Sequence, residues 1–440
     1  MQYGHKPAEP WLGALCDKLN RVSQSSRLPV SSETTLDDLH AVVTAWVIAN
    51  VPPAWRAAAP QGRTAVRAVR PRVEYDAWYP TFADSGLAVA TWPVAYGGLD
   101  LTTLQARAVE SVLAPYHLGR LNPLGLNAAA PPMFAYGTEE QRLRFLPPLV
   151  RNEEKWCQLL SEPGAGSDLA SLATRAARDG DEWVLTGQKV WTTWAHFSDF
   201  AVCLARTDPT LPKRRGLTYF IVDLHAPGVE VRALKHIGGE VDFNEVFLND
   251  VRIPDFYRIG AVGDGWRVTG STLAGERQMV SGSGSGGVDR IGGTGVDHVI
   301  ARACDLGRVQ EPSVRQRLMV AYSEEQIRGW TNQRVRAAVR TGGTAGAAAS
   351  IGKVHQGTLN QKIQLLAADL LGPSAMAWEF GLNYPDNMPA EVRAMLRSRA
   401  NTIEGGTTEV NKNILGERVL GLPREPDPYI DTSWETTPRS

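Results

Sequence analysis

The sequence lacks an excess of charge of either sign. Its 440 residues carry a formal net charge of −1 at pH 7, and the pI is about 6.7. Proteins that bind nucleic acid or anionic membranes rely on an excess of Lys and Arg. The charge balance therefore argues against both kinds of partner.

Cysteine is also scarce. The chain has four cysteines, and these lie far apart: Cys16, Cys157, Cys203 and Cys304. No CxxC pair or His/Cys cluster has the spacing of metal ligands, which argues against a metal site and against a disulfide framework. We expect a reducing, cytoplasmic location.

Long apolar runs are missing as well. The N-terminal stretch MQYGHKPAEPW has no basic region followed by an apolar one, as a secretory signal would. The most apolar early stretch, LHAVVTAWVIANV, is too short to span a bilayer and carries a histidine. We therefore expect no membrane segment.

The sequence does contain two helical regions separated by a β-rich one. LDDLHAVVTAWVIANV, VEYDAWYPTFADSG, SVRQRLMVAYSEEQIRGWTNQRVRAAVRT and GTLNQKIQLLAADLLG repeat apolar residues with helical spacing, and Thr138 before EEQ predicts a helix start. WCQLLS, EWVLTGQKVWTT, DFAVCLARTD, LTYFIVDL, VEVRAL and NEVFLNDVRI are short, rich in β-branched and aromatic residues, and separated by Gly, Pro and Asp, which predicts strands of a small barrel or sandwich.

This layout predicts an α+β chain with a helical, a β and a second helical domain. The predicted boundaries are an N-terminal extension over 1–34, a helical domain over 35–155, a β-domain over 156–264, a helical domain over 265–424 and a tail over 425–440.

Two stretches in the β-region suggest a ligand site. SEPGAGSDLAS, Ser161 to Ser171, combines a Pro-Gly turn with small side chains, so a flat or anionic ligand can approach its backbone. A plain hairpin loop is the alternative. In GQKVWTTWAH, Trp191 and Thr193 lie two apart and point to the same face of a strand. Together they would suit a planar aromatic cofactor, although Trp191 alone is more typical of a protein core.

The order of these motifs resembles that of the acyl-CoA dehydrogenase family. SEPGAGSD, GQKVWTT, RGLTYFIVD and FNEVFLNDVRIP follow one another as they do in that family. FADSGLAVATWPVAYGG and YGTEEQRLRFLPPL match it on the N-terminal side, and TIEGGTTEVNKNILGERVLGLP matches it on the C-terminal side. The resemblance covers roughly residues 35–423, and it is closest to bacterial members with an EGGT ending, several of which act on bulky or branched acyl groups.

The resemblance implies an N-terminal helical domain, a central β-barrel domain and a C-terminal four-helix bundle that bind FAD. It implies α,β-dehydrogenation of an acyl-CoA thioester, with the α-proton taken by a Glu, the β-hydride passed to flavin N5 and the electrons passed on to an electron-transferring flavoprotein. The positions that correspond to cofactor contacts are Gln158, Leu160, Ser161, Gly166, Ser167, Trp191, Thr193, Thr407 and Glu409. Ser167 also corresponds to a contact with the pantetheine arm of the substrate.

Two glutamates compete for the role of base. Many family members carry the base in the C-terminal loop two residues before Thr, but Gly405 stands there and Glu404 is displaced by one residue. Other members carry Glu before Arg in the helix after the β-domain, and TLAGERQMV supplies Glu276 and Arg277 there. The resemblance favours Glu276 as base, with Glu404 as its rival, Arg277 to steer the substrate and the Gly405 amide to contact the thioester.

The sequence departs from the family at the contacts between subunits. Where many members have R-x-x-F-G, it reads ARACDLGRVQ, so Arg302 or Arg308 would have to replace the FAD-binding arginine. A second contact segment reads ADLLGPSA, with Asp369 in place of Gln. A homodimer or homotetramer is expected, and a heteromer is the alternative.

Three further alternatives stay open. The same fold also serves flavin oxidases and monooxygenases, dehydrogenases that act on a carrier-protein thioester, and non-catalytic subunits of heteromeric dehydrogenases. The glycine-rich stretch GSGSGG, Gly282 to Gly287, is too weak a match for a dinucleotide site, and we expect it to form a closely packed helix face near the flavin or a bulky substrate.

Overall fold

We describe the fold from a computed structural model that places residues 26–281, 293–340, 346–378 and 387–438. These residues divide into two compact units. One comprises the residues up to Leu126 together with Thr138–Lys155, and the other comprises Asn127–Gly137 together with Trp156 onward. The chain passes between the units at Lys155 and Trp156, while Asn127–Gly137, predicted to belong to the N-terminal helical domain, groups with the second unit.

The first unit is helical. Its helices are α1 (Leu36–Asn50), α2 (Pro53–Ala58), α3 (Arg63–Ala68), α4 (Arg72–Asp84), α5 (Thr103–Leu113) and α7 (Glu139–Val150). Thr35 caps α1 by accepting from the amide of Asp38, and Thr138 starts α7 with a full capping box, which confirms the predicted start. The core includes the aromatic rings of Trp46, Trp78 and Phe82, which lie about 6 Å apart (6.2, 6.0 and 6.0 Å).

The second unit holds one eight-stranded sheet. Its strands are β1 (Trp156–Leu159), β2 (Arg175–Asp179), β3 (Glu182–Thr193), β4 (Phe200–Arg206), β5 (Leu217–Asp223), β6 (Val229–Leu234), β7 (Phe243–Pro254) and β8 (Arg258–Ile259). The order is β6-β7-β3-β2-β4-β5-β8, with β1 parallel to β4. All six predicted strands are present. β4 is buried at every residue, which explains its uninterrupted apolar sequence.

The second unit also contains helices that precede and follow the strands in the sequence. They are α6 (Ala130–Tyr136), α8 (Gly265–Ser281), α9 (Val296–Asp305), α10 (Pro312–Arg340), α11 (Ala349–Leu370), α12 (Ala390–Ser398) and α13 (Thr408–Arg418). Val299, Leu318, Leu359, Ile363 and Leu366 belong to an apolar core shared by α9, α10 and α11. None of the helices placed in the structure has the length and apolar character to cross a bilayer.

Helix α8 is fixed to its surroundings by hydrogen bonds as well as by packing. The hydroxyl of Thr272 contacts the hydroxyl of Tyr219 on β5 at 2.6 Å and donates to the carbonyl of Ala128 at 3.1 Å. A Cβ at Gly275 would overlap the carbonyl oxygen of Asn127, so only glycine allows the two segments to approach this closely. The sheet, α6 and α8 therefore form one packed arrangement within the second unit.

Candidate active site

The loop from Ser161 to Ser171 follows directly from β1. Glu162 and Ala165 exchange both backbone hydrogen bonds, at 3.1 and 3.0 Å, and so close a tight turn with Gly164 at its tip. A Cβ at Gly164 or Gly166 would meet no atom within 4 Å. Neighbouring atoms therefore do not require glycine at either position, and the free space beside the backbone is available to a ligand.

A buried ion pair anchors this turn. The ammonium of Lys189, fully buried, donates to Glu162 Oε1 at 2.9 Å and to the carbonyls of Leu160 and Leu204 at 3.1 and 2.8 Å. The Glu162 carboxylate also accepts from the amides of Ala173 and Thr174 at 2.6 and 2.9 Å. Burial opposes the charge of Glu162, but Lys189 and these donors outweigh it, and the pKa of the carboxyl is lowered. Both ends of the loop are thus tied to one buried charge pair.

The second half of the loop, around Asp168, is held by hydrogen bonds near the protein surface. Lys213 donates to the carboxylate of Asp168 at 2.8 Å, and the hydroxyl of Ser171 donates to the same carboxylate. Partial burial raises the pKa of Asp168, but the bonds from Lys213 and Ser171 outweigh that effect and lower it. Ser167, beside Asp168, is exposed. Its side chain is therefore accessible to a ligand.

Strand β3 carries a bulge at Trp191. The residue has a φ of 61°, and the register with β7 shifts between Lys189 and Thr192. Trp191 is 56% exposed and packs edge-on against Phe243, with ring centroids 5.8 Å apart. Thr192 is buried and Thr193 is half-buried. A large aromatic ring therefore stands in solvent beside a half-buried hydroxyl-bearing residue.

Among the buried polar atoms of the described residues that have no hydrogen-bond partner, two lie on the strands that flank the loop. They are Nε2 of Gln158 on β1 and the hydroxyl oxygen of Thr192 on β3. Buried donors are paired in most folded proteins, since each unpaired one costs about 1–3 kcal/mol. The amide of Gln158 is therefore suited to donate to an acceptor on a bound molecule, as an isoalloxazine ring offers.

The EGGT turn precedes α13. Gly405 and Gly406 have φ of 63° and 83°, values at which a residue with a Cβ is strained, which explains the paired glycines. The hydroxyl of Thr407 caps α13 by accepting from the amide of Val410 at 3.1 Å, and Glu409 is exposed in the first turn. Thr407 thus has a structural role at the helix start, whatever else it contacts.

Glu404 is held in a network of its own. Arg397 donates to its two carboxylate oxygens at 2.9 and 3.3 Å, and Asn401 donates to one of them at 2.8 Å. The guanidinium of Arg397 also lies 5.6 Å from the ring centroid of Phe243, the same ring that packs against Trp191. The carboxylate would have to leave an arginine in order to act as a base.

The remaining predicted residues either have side chains outside the described part of the chain or lie on other helices. Glu276 and Arg277 lie in the last turns of α8, and their side chains are outside the described part of the chain, as is the whole of Gly282–Gly287. Arg302 is exposed on α9. Arg308 is already engaged, with Glu311 at 2.8 Å and with the carbonyl of Asp369 at 2.8 Å.

Sequence reasoning missed the residues that support the site. Glu162 and Lys189 stand inside the two quoted motifs, and each is a charge within a run of apolar or small residues. That pattern is a signal for a buried ion pair, because an isolated charge in such a run would be expensive to bury. Phe243 and Arg397 carry no comparable local signal, since they come together only in the fold.

One group of potential metal-ligating side chains occurs among the described residues. His236, Glu240 and Asp242 bring ligand atoms within 4.8 Å of one another. Arg393 contacts Glu240 at 3.4 Å, and Nδ1 of His236 accepts from the amide of Gly238 at 3.0 Å. The acidic charges therefore already face cationic and polar groups of the protein.

Comparison with known proteins covers most of the chain. Models of the N-terminal, middle and C-terminal domains of acyl-CoA dehydrogenases match residues 40–153, 157–251 and 263–420. Acyl-CoA dehydrogenase IpdE1 of Mycobacterium tuberculosis is 37% identical over 360 residues, which cover 80% of this chain and 89% of that protein. Acyl-CoA dehydrogenase FadE34 of the same organism is 38% identical over 348 residues, which cover 78% of this chain and 45% of that protein.

Solved structures give the same result. The Tcur3481-Tcur3483 steroid ACAD is similar with a TM-score of 0.68 and 27% identity, over 90% of this chain and 100% of that chain. The ChsE4-ChsE5 complex from Mycobacterium tuberculosis is similar with a TM-score of 0.63 and 25% identity, over 90% of this chain and 100% of that chain.

Proposed function

This chain belongs to the acyl-CoA dehydrogenase family, and within that family we propose that it is an FAD-dependent enzyme that forms an α,β double bond in a bulky acyl-CoA thioester. The observation that carries the proposal is the open site around Trp191. An exposed aromatic ring, an unpaired buried amide and a loop with free space at two glycines lie in the segments that the family resemblance assigns to flavin binding, and they support the proposal.

The described residues fit the cofactor. Gln158 would donate to the ring system, Trp191 would flank it, and Thr193 would bond beside it, while Leu160 and Ser161 would contribute backbone and side-chain contacts. Gly166 and Ser167 would lie beside the pyrophosphate, and Arg302, Thr407 and Glu409 complete the proposed set. FAD, when bound, supplies the acceptor for the hydride that leaves the β-carbon.

The protein itself would remove the α-proton. We assign this step to Glu276, because both oxygens of the rival Glu404 are engaged by Arg397 and Asn401. A base of this kind works best when an apolar surrounding raises its pKa. The amide of Gly405 is proposed to donate to the thioester oxygen, where negative charge develops as the proton leaves, and Arg277 is proposed to steer the substrate.

The acyl group is proposed to be steroid-like. One of the solved structures similar to this chain is a steroid ACAD by name, and the similarity extends over nearly its whole length. An electron-transferring flavoprotein is the proposed electron acceptor. The coenzyme A part of the substrate would extend past Ser167, which is exposed.

An anaerobic reduction assay tests these assignments. Protein loaded with FAD is mixed with straight-chain, branched and steroid-derived acyl-CoAs, and bleaching of the flavin absorption is followed. We expect bleaching by the steroid-derived thioester and slow reoxidation by oxygen. Loaded protein that no acyl-CoA reduces would refute the proposed function, and rapid reoxidation would favour an oxidase.

Two matched variants separate the candidate bases. Glu276→Gln should lower the rate of reduction by about 10²–10⁴ while FAD stays bound. Glu404→Gln should leave the rate closer to that of the wild type. The reverse pattern would move the base to Glu404.

A second candidate is that this chain works as one subunit of a heteromeric dehydrogenase. Two similar solved structures are named as pairs of different chains. In this chain, Asp369 replaces the family's Gln in a segment that contacts FAD of the neighbouring subunit, and Asp369 is bound by Arg317 at 2.7 Å. Flavin-free protein that takes up FAD only when co-expressed with a related chain would support this candidate, whereas a flavin-loaded homo-oligomer would exclude it.

A further inference from the structure

The segment after the matched family domains lies on the β-domain. The C-terminal domain match ends at residue 420, yet Ser433 forms a backbone bridge with Pro212 in the loop between β4 and β5. The amide of Trp434 donates to the carbonyl of Leu211 at 2.9 Å. A salt bridge of 3.1 Å joins Asp431 to Arg215 in the same loop. The tail predicted over 425–440 therefore packs against the loop between β4 and β5 of the same chain.

Trp434 also contacts the loop from Ser161 to Ser171, the candidate cofactor loop. Its indole Nε1 donates to the carbonyl of Ser171 at 3.1 Å. Its ring also lies over the guanidinium of Arg206, with Cζ 4.3 Å from the ring centroid. A stacked guanidinium at this distance is favourable, and more so where it is desolvated, as the 2% exposure of Arg206 implies.

Arg206 binds the same stretch from beneath. It donates to the carbonyls of Leu172 and Ala170 at 3.1 and 2.6 Å. The carbonyls of three consecutive residues, Ala170, Ser171 and Leu172, are thus held by Arg206 or by Trp434, and these two side chains also hold each other. The buried pair of Glu162 and Lys189 binds the carbonyl of Leu160 before the loop and the amides of Ala173 and Thr174 after it. At the loop exit itself, Trp434 is the side chain that binds the carbonyl of Ser171.

We propose that Trp434 is a positioning residue that holds the exit of the Ser161–Ser171 loop in the conformation that binds FAD. The proposal rests on the proposed function in one respect, namely that FAD is the ligand of this loop. A segment outside the matched family domains then becomes part of the cofactor site. Its proposed effect is on the conformation of the loop and not on the chemical step.

Hydrogen–deuterium exchange on the full chain, with and without FAD, tests the proposal. Trp434→Ala removes both contacts, and Trp434→Phe keeps a ring over Arg206 but loses the bond to Ser171. Tyr429→Ala is the control, since Tyr429 is an exposed aromatic residue of the same segment (42% exposed). FAD affinity is measured on the same proteins by fluorescence titration.

In FAD-free protein, Trp434→Ala should speed exchange of the amides in 168–174 by about tenfold, with Trp434→Phe between it and the wild type and Tyr429→Ala unchanged. FAD affinity should fall in the same order, by about three- to tenfold for Trp434→Ala. If the amides of residues 168–174 exchange no faster in Trp434→Ala than in Tyr429→Ala, the proposal is overturned. Exchange that rises evenly over the whole β-domain, or an unchanged FAD affinity, would overturn it as well. Wild-type protein that binds no FAD would refute the proposed function, while the exchange pattern would still decide whether Trp434 holds the loop.

Discussion

Replacing Lys189 by Met should destabilise the candidate cofactor loop, Ser161 to Ser171. Lys189→Met keeps the length and apolar body of the side chain and removes only the ammonium. The change leaves Glu162 as a carboxylate that is 8% exposed without its cation, and the carbonyls of Leu160 and Leu204 without their donor. The lost contacts include those of Leu160 and Glu162, where the chain leaves β1 and the loop begins.

The magnitude follows from these contacts. Removing one partner of a buried ion pair costs about 3–5 kcal/mol, because the other charge stays buried and uncompensated. Glu162→Gln in the same protein removes that charge, while its amide oxygen can still accept from one of the two backbone amides, of Ala173 or of Thr174, that bind separate carboxylate oxygens. The double variant should therefore recover about 1 kcal/mol or more relative to Lys189→Met alone. Lys213→Met, which breaks the more exposed pair with Asp168, should cost only about 0–1 kcal/mol.

Native-state hydrogen exchange at amides of β3 and β4 is the appropriate assay. A chain with more than one compact unit need not unfold in a single step, whereas exchange gives the local free energy of opening. A loss in Lys189→Met no greater than in Lys213→Met would refute the reasoning. So would a double variant that is less stable than Lys189→Met, because the cost would then not come from the uncompensated carboxylate.

The same pair predicts a dependence on pH. The folded-state pKa of Glu162 lies below its ordinary value of 4.5, so the stabilisation is present above that pH and is lost as the pH falls through the folded-state pKa. The difference in stability between the wild type and Lys189→Met should therefore be full near neutral pH and shrink in acid. A difference that grows on acidification would contradict the assigned sign.

Three other predictions concern packing, thiol reactivity and the aromatic ring. Gly275→Ala should destabilise the packing of α8 by about 1–3 kcal/mol, whereas Gly270→Ala on the same helix, where a Cβ meets nothing within 4 Å, should be neutral or stabilising, and thermal unfolding of the two variants decides this. Cys304 is exposed, whereas burial raises the pKa of Cys157 to about 12, so a thiol reagent at mildly alkaline pH should label Cys304 and leave Cys157 unmodified in peptide mapping; comparable labelling of both would be contrary evidence. Trp191→Ala should weaken FAD binding about tenfold while the unfolding temperature hardly changes, and a large drop in that temperature would instead indicate a core role.

Much of the fold could be predicted because periodicity is local. Runs such as DFAVCLARTD carry their strand signal in consecutive residues, and Thr138 with Gln141 encodes a helix start within four positions. Strand β2 was missed because its sequence, RAARD, lacks apolar alternation, as only Ala176 is buried. It is a strand because β3 pairs with it along its whole length, and such pairing is not visible in a short polar segment.

The candidate site is predictable only in part for the same reason. The motifs around Ser161 and Trp191 are contiguous, so the sequence reveals them. The contacts of Trp434 with Ser171 and Arg206 join residues that are far apart in the chain, and no pattern near Trp434 announces them. The roles assigned to Glu276 and Arg277 remain predictions, because the described atoms do not include their side chains.

The position of Glu404 shows what one extra glycine changes. Two successive left-handed glycines turn the chain sharply between Glu404 and Thr407, and the carboxylate faces Arg397 and Asn401. Asn401 is itself held, because the buried ammonium of Lys353 donates to its carbonyl. Both oxygens of this carboxylate are engaged by a guanidinium or an amide, so these charge-assisted hydrogen bonds would have to break before Glu404 could approach a substrate proton. Glu404 is thus better suited to hold the turn between α12 and α13 than to cycle a proton, which supports assigning the base to Glu276.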